Sequence, residues 1–288
     1  MKTLKEYISD ARAGNYALGH FNISNLEGLW AIYRAAKALD LPVVVGVSEG
    51  ERDFVGVKQA VALVRSLREG EGYPIFLNAD HTYSVDRVKE AIDAGFDAVI
   101  FDGAKMTFDE NVAMTQQCVT YARTQGAKVL VEAELGYIGQ SSKVLDAIPE
   151  GAAVDESQLT TVDEAVKFVK ATGIDLFSSA VGSIHGMLRA SKDPDLHIGR
   201  IKEIAAAVET PLVLHGASGL REENVREAIA AGISLVHINT EMRVAFADSL
   251  KASLAEHPDE VAPYKIMKPT TEAMQKVIDA KLRLFAGR

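Results

Sequence analysis

Short apolar runs alternate along the chain with longer amphipathic stretches, and turn residues separate the two kinds. The runs are ALGHFN (17–22), LPVVVGVS (41–48), PIFLNAD (74–80), AVIFDG (98–103), KVLVEAEL (128–135), DLFSSAV (175–181), PLVLHG (211–216) and LVHINT (235–240). Each is short and mostly without polar alternation, as expected of parallel strands covered on both faces. Between them, Thr161-Val-Asp-Glu164 predicts a capping box. Gly95, Gly126, Gly173 and Gly232 follow helical stretches, where a left-handed residue commonly ends a helix. An initial helix over roughly 3–13 and a terminal one over roughly 271–286 frame the set.

Eight strands alternating with helices predict an α/β protein of the (β/α)8 or TIM-barrel class. An N-terminal helix and a C-terminal helical extension complete a single domain over residues 1–288. The competing fold, an open doubly wound sheet, would carry GxGxxG between a strand and a helix, and that motif is absent. One connection is out of pattern. Residues 136–159 have little periodicity, against a usual βα loop of about 2–6 residues. They read either as a surface insertion or as a lid, because they follow a strand end where barrel enzymes build their sites.

Composition narrows the functional classes. With 48% hydrophobic and 25% charged residues, the 288-residue chain is neither disordered nor collagen-like. Its 31 Lys plus Arg against 40 Asp plus Glu give a net charge of −9, with no basic stripe, which argues against nucleic acid as partner. No apolar run reaches the ~18 residues of a bilayer span, and the start is amphipathic rather than signal-like. The single cysteine, Cys118, cannot form an internal disulfide and suits a reducing cytoplasm.

Candidate chemistry gathers at the strand ends, which converge on one mouth of such a barrel. The ends carry His20 and Asn22, Ser48, Asp80-His81, Asp102, Glu132 and Glu134, Ser183 and His185, His215, and His237 with Asn239 and Thr240. Five of the 7 histidines stand there, leaving His197 and His257 elsewhere. His81, His185 and His215 offer three imidazoles with an open fourth position, a pattern that suits catalytic Zn2+, with Co2+ or Fe2+ also fitting. Asp102 and Glu134 would orient those rings or hold a displaced metal. Gly182-Ser183, Gly216-Ala217-Ser218-Gly219 and Asn239-Thr240 place small residues and a helix start where backbone amides bind phosphate. A Lewis acid that polarises a carbonyl stabilises an enediolate, and Asp80, beside His81, is placed to shuttle the proton that carbon–carbon cleavage needs. His20 and His237 would either make a polar contact that reshapes the pocket or a purely structural one.

The segments FNISNLEGL, PVVVGVSEG, Asp80-His81, GFDAVIFDGAKMTFDENV, VEAELGYIG, AVGSIHG and PLVLHGASG resemble, in order and spacing, the class II metal-dependent fructose-bisphosphate and tagatose-bisphosphate aldolases. The resemblance implies zinc on His81, His185 and His215, Asp80 as acid/base, and Asp102 and Glu134 at a second metal position. It implies phosphate on Gly182, Gly216, Ser218 and Thr240, often with Na+ or K+ nearby, and a substrate pocket lined by Asn22 and Ser48. His237 and Asn239 stand where the family contacts its substrate. The implied reaction cleaves a phosphorylated ketose, first fructose 1,6-bisphosphate, to dihydroxyacetone phosphate and glyceraldehyde 3-phosphate. Tagatose 1,6-bisphosphate or another ketose phosphate is the alternative. A cytoplasmic enzyme of carbohydrate metabolism, a homodimer or homotetramer, is expected.

Three departures stand out. The family's Gly-Gly turn and acidic residues after Glu134 are replaced by Tyr137-Ile138-Gly139-Gln140-Ser141-Ser142, leaving Asp146 or Glu150 as substitute bases. Asn78-Ala79 precedes Asp80 where a histidine-bearing stretch is usual. His20 and His237 replace a small residue and an asparagine. A Schiff-base aldolase is disfavoured, since no strand ends in lysine. A metal-dependent hydrolase would carry His-x-His on the first strand, which reads His20-Phe21-Asn22. A metal-binding barrel without activity is the third reading.

Overall fold

The computed structural model describes residues 1–124, 126, 128–140, 142–189 and 193–288. The eight apolar runs become β1 (Leu18–Asn22), β2 (Val43–Val47), β3 (Ile75–Thr82), β4 (Ala98–Phe101), β5 (Leu130–Leu135), β7 (Leu176–Ser179), β9 (Leu212–Leu214) and β10 (Ile233–Ile238). They close into an all-parallel barrel in the order β1-β10-β9-β7-β5-β4-β3-β2. Two further strands, β6 (Val144–Leu145) and β8 (Met187–Leu188), pair with each other outside it.

The helices are α1 (Leu4–Gly14), α2 (Leu26–Leu39), α3 (Glu49–Val55), α4 (Val57–Glu71), α5 (Val85–Ala94), α6 (Phe108–Thr124), α7 (Val162–Thr172), α8 (Ile198–Ala207), α9 (Glu222–Ala230), α10 (Thr240–Glu256) and α11 (Pro263–Phe285). Thr161 caps α7 through the expected box with Glu164. Gly95 and Gly173 end α5 and α7 in the left-handed conformation. At Gly232 the cap is instead the preceding Ala231.

The barrel interior is layered by the two-residue period of a strand. Leu18, Val44, Phe76, Ala98, Leu130, Leu176, Val213 and Leu235, one from each strand, form a lower apolar layer plugged by Leu4, Ile8 and Ala11 of α1. Two residues further along each strand stand His20, Gly46, Asn78, Ile100, Glu132, Ser178, His215 and His237. Two residues further again come Asn22, Ser48, Asp80, Asp102 and Glu134. The intervening residues, such as Phe21, Val45, Leu77, Val99, Val131 and Phe177, face the helices and join the large outer core. The site is therefore the top of a polarity gradient running up the barrel axis.

One expectation is corrected. The terminal helix begins at Pro263, not near residue 271, because Pro263 occupies its first turn and Pro269 is accommodated inside it. The long connection after β5, read as an insertion or a lid, carries structure of its own. Its β6 pairs with β8, Ala153 N–H donates to Tyr137 O at 2.8 Å, and Glu156–Gln158 form a single 3-10 turn. It is latched onto the segment that carries His185.

Candidate active site

His81, His185, His215 and Glu134 converge at the barrel mouth, with potential ligand atoms all within 4.8 Å of one another. Each imidazole is tethered through one nitrogen. His81 Nδ1 lies 2.9 Å from Asp102 Oδ2, His185 Nδ1 lies 2.7 Å from Gly139 O, and His215 Nε2 lies 2.8 Å from Glu132 Oε1. An acceptor at each of these positions holds an N–H there, so a ring that is neutral presents a lone pair on its other nitrogen. His81 Nε2 and His215 Nδ1, the two nitrogens turned away from those acceptors, face each other at 3.2 Å.

Asp80, Asp102, Glu132 and Glu134 are all buried here. Burial would lower the His81 imidazole, but Asp80, Asp102 and Glu134 outweigh it and raise it to about 10. Burial, reinforced by Asp102, pushes the Glu134 carboxyl well above its usual range. Burial and the neighbouring His81 and His215 lower His185 to about 3. Four carboxyl groups are thus buried around three imidazoles, and Glu134 Oε2 has no hydrogen-bond partner. The tethered rings, the orphaned carboxyl oxygen and the crowding of buried carboxyl groups together fit a divalent metal.

Asp80 stands beside this cluster. Burial opposes its ionisation, but His81 and His237 hold its carboxyl well below the usual range. Asn22 Nδ2 donates to Asp80 Oδ2 at 2.8 Å, and His237 Nδ1 is 3.4 Å from Oδ1. His237 is stacked on His20, with ring centroids 3.5 Å apart and planes at 6°, and its other face meets His215 at 4.0 Å. Asn78 Nδ2 lies 3.2 Å from His20 Nε2. The ring of His20 has room only because residue 46 is glycine; a Cβ there would come within 2.1 Å of it.

The backbone at Asp80-His81 is bent for this purpose. His81 has φ +38°, a left-handed value rare outside glycine, and the β3–β4 register shifts between Ala79 and Thr82. Such strain, of about 1–3 kcal/mol, persists only where the surroundings enforce it. Arg52, fully buried, does so by donating to Asp80 O at 3.1 Å, Thr82 Oγ1 at 3.0 Å and Val47 O at 2.7 Å.

A small cleft above these groups is lined by Asn22, Asp80, His81, Ser142, His185, Gly216, Ser218, His237, Asn239 and Thr240. Gly216 has φ +65° and approaches Ile184 so closely that a Cβ would clash with its carbonyl. Thr240 opens α10, and Asn239 N–H lies 3.4 Å from Ser218 Oγ. This is the small-residue rim expected for an anion. Two anticipated members lie off the cleft. Gly182 packs against Asp195 O and His197, and Ser48 begins α3, its N–H donating to Glu51 Oε2 at 2.7 Å. Asp146, exposed, pairs with Arg189 at 2.8 Å, and Glu150 is also exposed, so neither lines the cleft. Ser142 does line it and lies 3.3 Å from Asn239 Nδ2. Ser141 falls outside the described residues.

With this geometry in hand, the comparison with known proteins decides the family. The model of the family described as "Fructose-bisphosphate aldolase class-II" matches residues 2–288. The chain belongs to the class II fructose-bisphosphate aldolase family. It is 37% identical over 288 residues to the fructose-bisphosphate aldolase of Geobacillus stearothermophilus, covering 99% of this chain and 96% of that one. It is 35% identical to the 6-phospho-5-dehydro-2-deoxy-D-gluconate aldolase of Bacillus subtilis, covering 99% and 95%. The YdjI aldolase of Escherichia coli K12 superposes with a TM-score of 0.82 at 27% identity, covering 98% and 96%. A class II aldolase is a lyase, and the family is generally metal-dependent. No helix among the described residues is long and apolar enough to cross a membrane.

Several contributors escape a reading of the sequence. Glu132 is visible as a strand-end acid, but its service to His215 is not. Glu51 announces itself only as the last member of a Ser48 capping box. Gly139 acts through its carbonyl, and Arg52 through a buried side chain that helix periodicity assigns to no partner.

Proposed function

We propose that this class II aldolase uses a divalent metal, Zn2+ in the first instance, to cleave a ketose 1-phosphate reversibly into dihydroxyacetone phosphate and an aldehyde. The observation that carries the reading is the convergence of three tethered imidazoles with Asp80 at their edge. His81, His185 and His215 would hold the metal, with Glu134 as a further ligand and Asp102 and Glu132 orienting the rings. When bound, the metal supplies Lewis-acid polarisation of the substrate carbonyl.

The chain's residues supply the rest. Asp80, ionised and aligned by Asn22, takes the proton of the C4 hydroxyl. The C3–C4 bond then breaks, C4 leaves as an aldehyde, and the electron pair passes through C3 to the C2 carbonyl oxygen. Gly216, Ser218, Asn239 and Thr240 hold the C1 phosphate by backbone amides and a helix start, where a monovalent cation, Na+ or K+, would help neutralise it. A proton returned to C3 completes dihydroxyacetone phosphate.

Fructose 1,6-bisphosphate is the first substrate to try, followed by tagatose 1,6-bisphosphate and ketoses phosphorylated only at C1. The wider panel is favoured by His20, Asn78 and His237, which give the middle layer of the barrel its own polar surface. A cytoplasmic homodimer or homotetramer is the expected form. The test is a coupled assay for dihydroxyacetone phosphate over that panel. Release from at least one ketose phosphate, lost in His185→Ala, supports the reading, and no release from any of them contradicts it.

A further inference from the structure

Retro-aldol cleavage moves two protons, and only the first has a carrier so far. Asp80 takes one from the C4 hydroxyl, and C3 must gain one before dihydroxyacetone phosphate leaves. Few groups stand where they could give it. Among the described residues, the titratable side chains lining the cleft, besides His81, His185 and His215, are Asp80 and His237. His237 serves the carboxylate rather than the substrate. Its ring lies between those of His20 and His215, and its Nδ1 is 3.4 Å from Asp80 Oδ1.

The connection after β5 brings no acid to the cleft. Every Asp and Glu of the chain lies among the described residues, and those of this connection, Asp146, Glu150, Asp155 and Glu156, are all exposed. The β6–β8 ladder fixes the register. Met187 N–H donates to Lys143 O at 3.1 Å, and Arg189 N–H to Leu145 O at 2.9 Å. Asp146 therefore falls just past the ladder, where Arg189 pairs with it at 2.8 Å. Among the described residues of this segment, Ser142 is the one that lines the cleft, and it carries a hydroxyl. The other buried carboxyls at the mouth are engaged. Asp102 and Glu132 tether His81 and His215, and Glu134 belongs to the metal cluster.

We propose that Asp80 performs both proton transfers of the cleavage, taking the C4 hydroxyl proton and then delivering it to C3. This rests on the retro-aldol reading and completes its proton balance. The C4 oxygen and C3 are both bonded to C4, so a carboxylate that reaches the first faces the second once the aldehyde has left. Asn22 Nδ2, which also donates to Glu51 at 2.8 Å, occupies Asp80 Oδ2 and leaves Oδ1 to carry the proton. The electron pair that cleavage moved to the C2 oxygen returns through C3 and forms the C3–H bond. The O–H bond of Asp80 breaks in that step, and its carboxylate is restored for the next turnover. The proton arrives on the face that C4 left.

The experiment follows, by NMR in D2O without aldehyde, hydrogen exchange at the hydroxymethyl carbon of dihydroxyacetone phosphate, beside the rate of ketose cleavage. It compares metal-loaded wild type, Asp80→Asn and the double variant Asp146→Asn/Glu150→Gln, with metal content and the Kd for dihydroxyacetone phosphate measured on each. In wild type one of the two hydrogens should exchange, and cleavage in D2O should place deuterium on the face that C4 left. Asp80→Asn should lose exchange and cleavage together, each about 10²–10⁴-fold, while keeping its metal and its Kd. The double variant should hold both rates within about twofold of wild type. Exchange that survives in Asp80→Asn while cleavage is lost, or that disappears in the double variant, gives the second transfer to another group and overturns the proposal. Deuterium on the opposite face, or a wild type that cleaves without exchange, overturns it as well. So does an Asp80→Asn protein that has lost metal or dihydroxyacetone phosphate binding, because Asp80 then has another task. A wild type that cleaves no ketose phosphate overturns the retro-aldol reading itself, and the proposal with it.

Discussion

The imidazoles of His20 and His237 lie face to face, 3.5 Å apart with 6° between their planes, directly beneath the carboxylate of Asp80. Both are fully or almost fully buried. Burial lowers His20 to about 4 and, with the charge of His20 and His215 adding, takes His237 well below the ordinary imidazole range. The pair is a neutral stack that fixes one wall of the cleft. Replacing His237 by Asn should change the kcat/KM ratio between fructose 1,6-bisphosphate and ketoses phosphorylated only at C1, read in the coupled assay. An unchanged ratio would make the stack a packing device only.

Removing His20 tests the packing side of the same contact. His20→Ala leaves a cavity beside His237 and an unpaired Asn78 amide. Losses of about 2–4 kcal/mol are ordinary for large-to-small changes in a core. The melting temperature of the metal-loaded protein should fall by several degrees. A drop of less than one degree would show that the ring is not held as described.

Asp80→Asn separates chemistry from metal binding. The amide keeps the size of the side chain but cannot take a proton, so kcat should fall by about 10²–10⁴. Metal content per protomer, measured by elemental analysis, should stay that of wild type, because Asp80 lies beside the ligands rather than among them. Near-normal turnover would remove Asp80 from its assigned role.

Glu132→Gln probes the tether on His215. The amide can donate as well as accept, so it no longer enforces the tautomer that frees His215 Nδ1 for the cluster. Losses of about 10–100-fold in metal affinity are typical when such a partner is changed. Competition titration against a chelator should reveal that loss, and Asp102→Asn should behave alike through His81. Unchanged affinity in both would argue that the rings are held by packing alone.

The lone thiol supplies a check on the fold. Burial pushes the Cys118 thiol up to about 12, far above its ordinary value, so it stays protonated throughout the neutral range. A thiol reagent at pH 8 should label the native protein negligibly and the denatured protein fully. Rapid labelling of the native state would contradict the packing of α6.

Much of this was legible in the sequence because barrel strands are short, apolar and separated by helix punctuation. All eight runs became barrel strands, and the histidines at 81, 185 and 215 met where strand ends had to meet. The layering was harder to see. His20, Asn78, Glu132 and His237 sit two residues above the apolar plug, so alternation was confined to inward positions while Phe21, Leu77, Val131 and Val236 kept each run apolar. Contacts closed by the fold were invisible from spacing. Glu51 and Arg243 are 192 residues apart, and the Asp146–Arg189 ion pair removed a proposed base from the cleft. Helix α11 extends beyond the stretch its periodicity marks because Pro269, a residue that ordinarily ends a helix, lies inside it.

The central claim, metal-dependent retro-aldol cleavage at His81, His185, His215 and Asp80, is tested most directly by stripping the enzyme of metal and adding it back. Dihydroxyacetone phosphate release from a ketose phosphate should vanish with chelator and return with about one Zn2+ per protomer, and His185→Ala should not recover. Undiminished release from the metal-free protein would contradict the account.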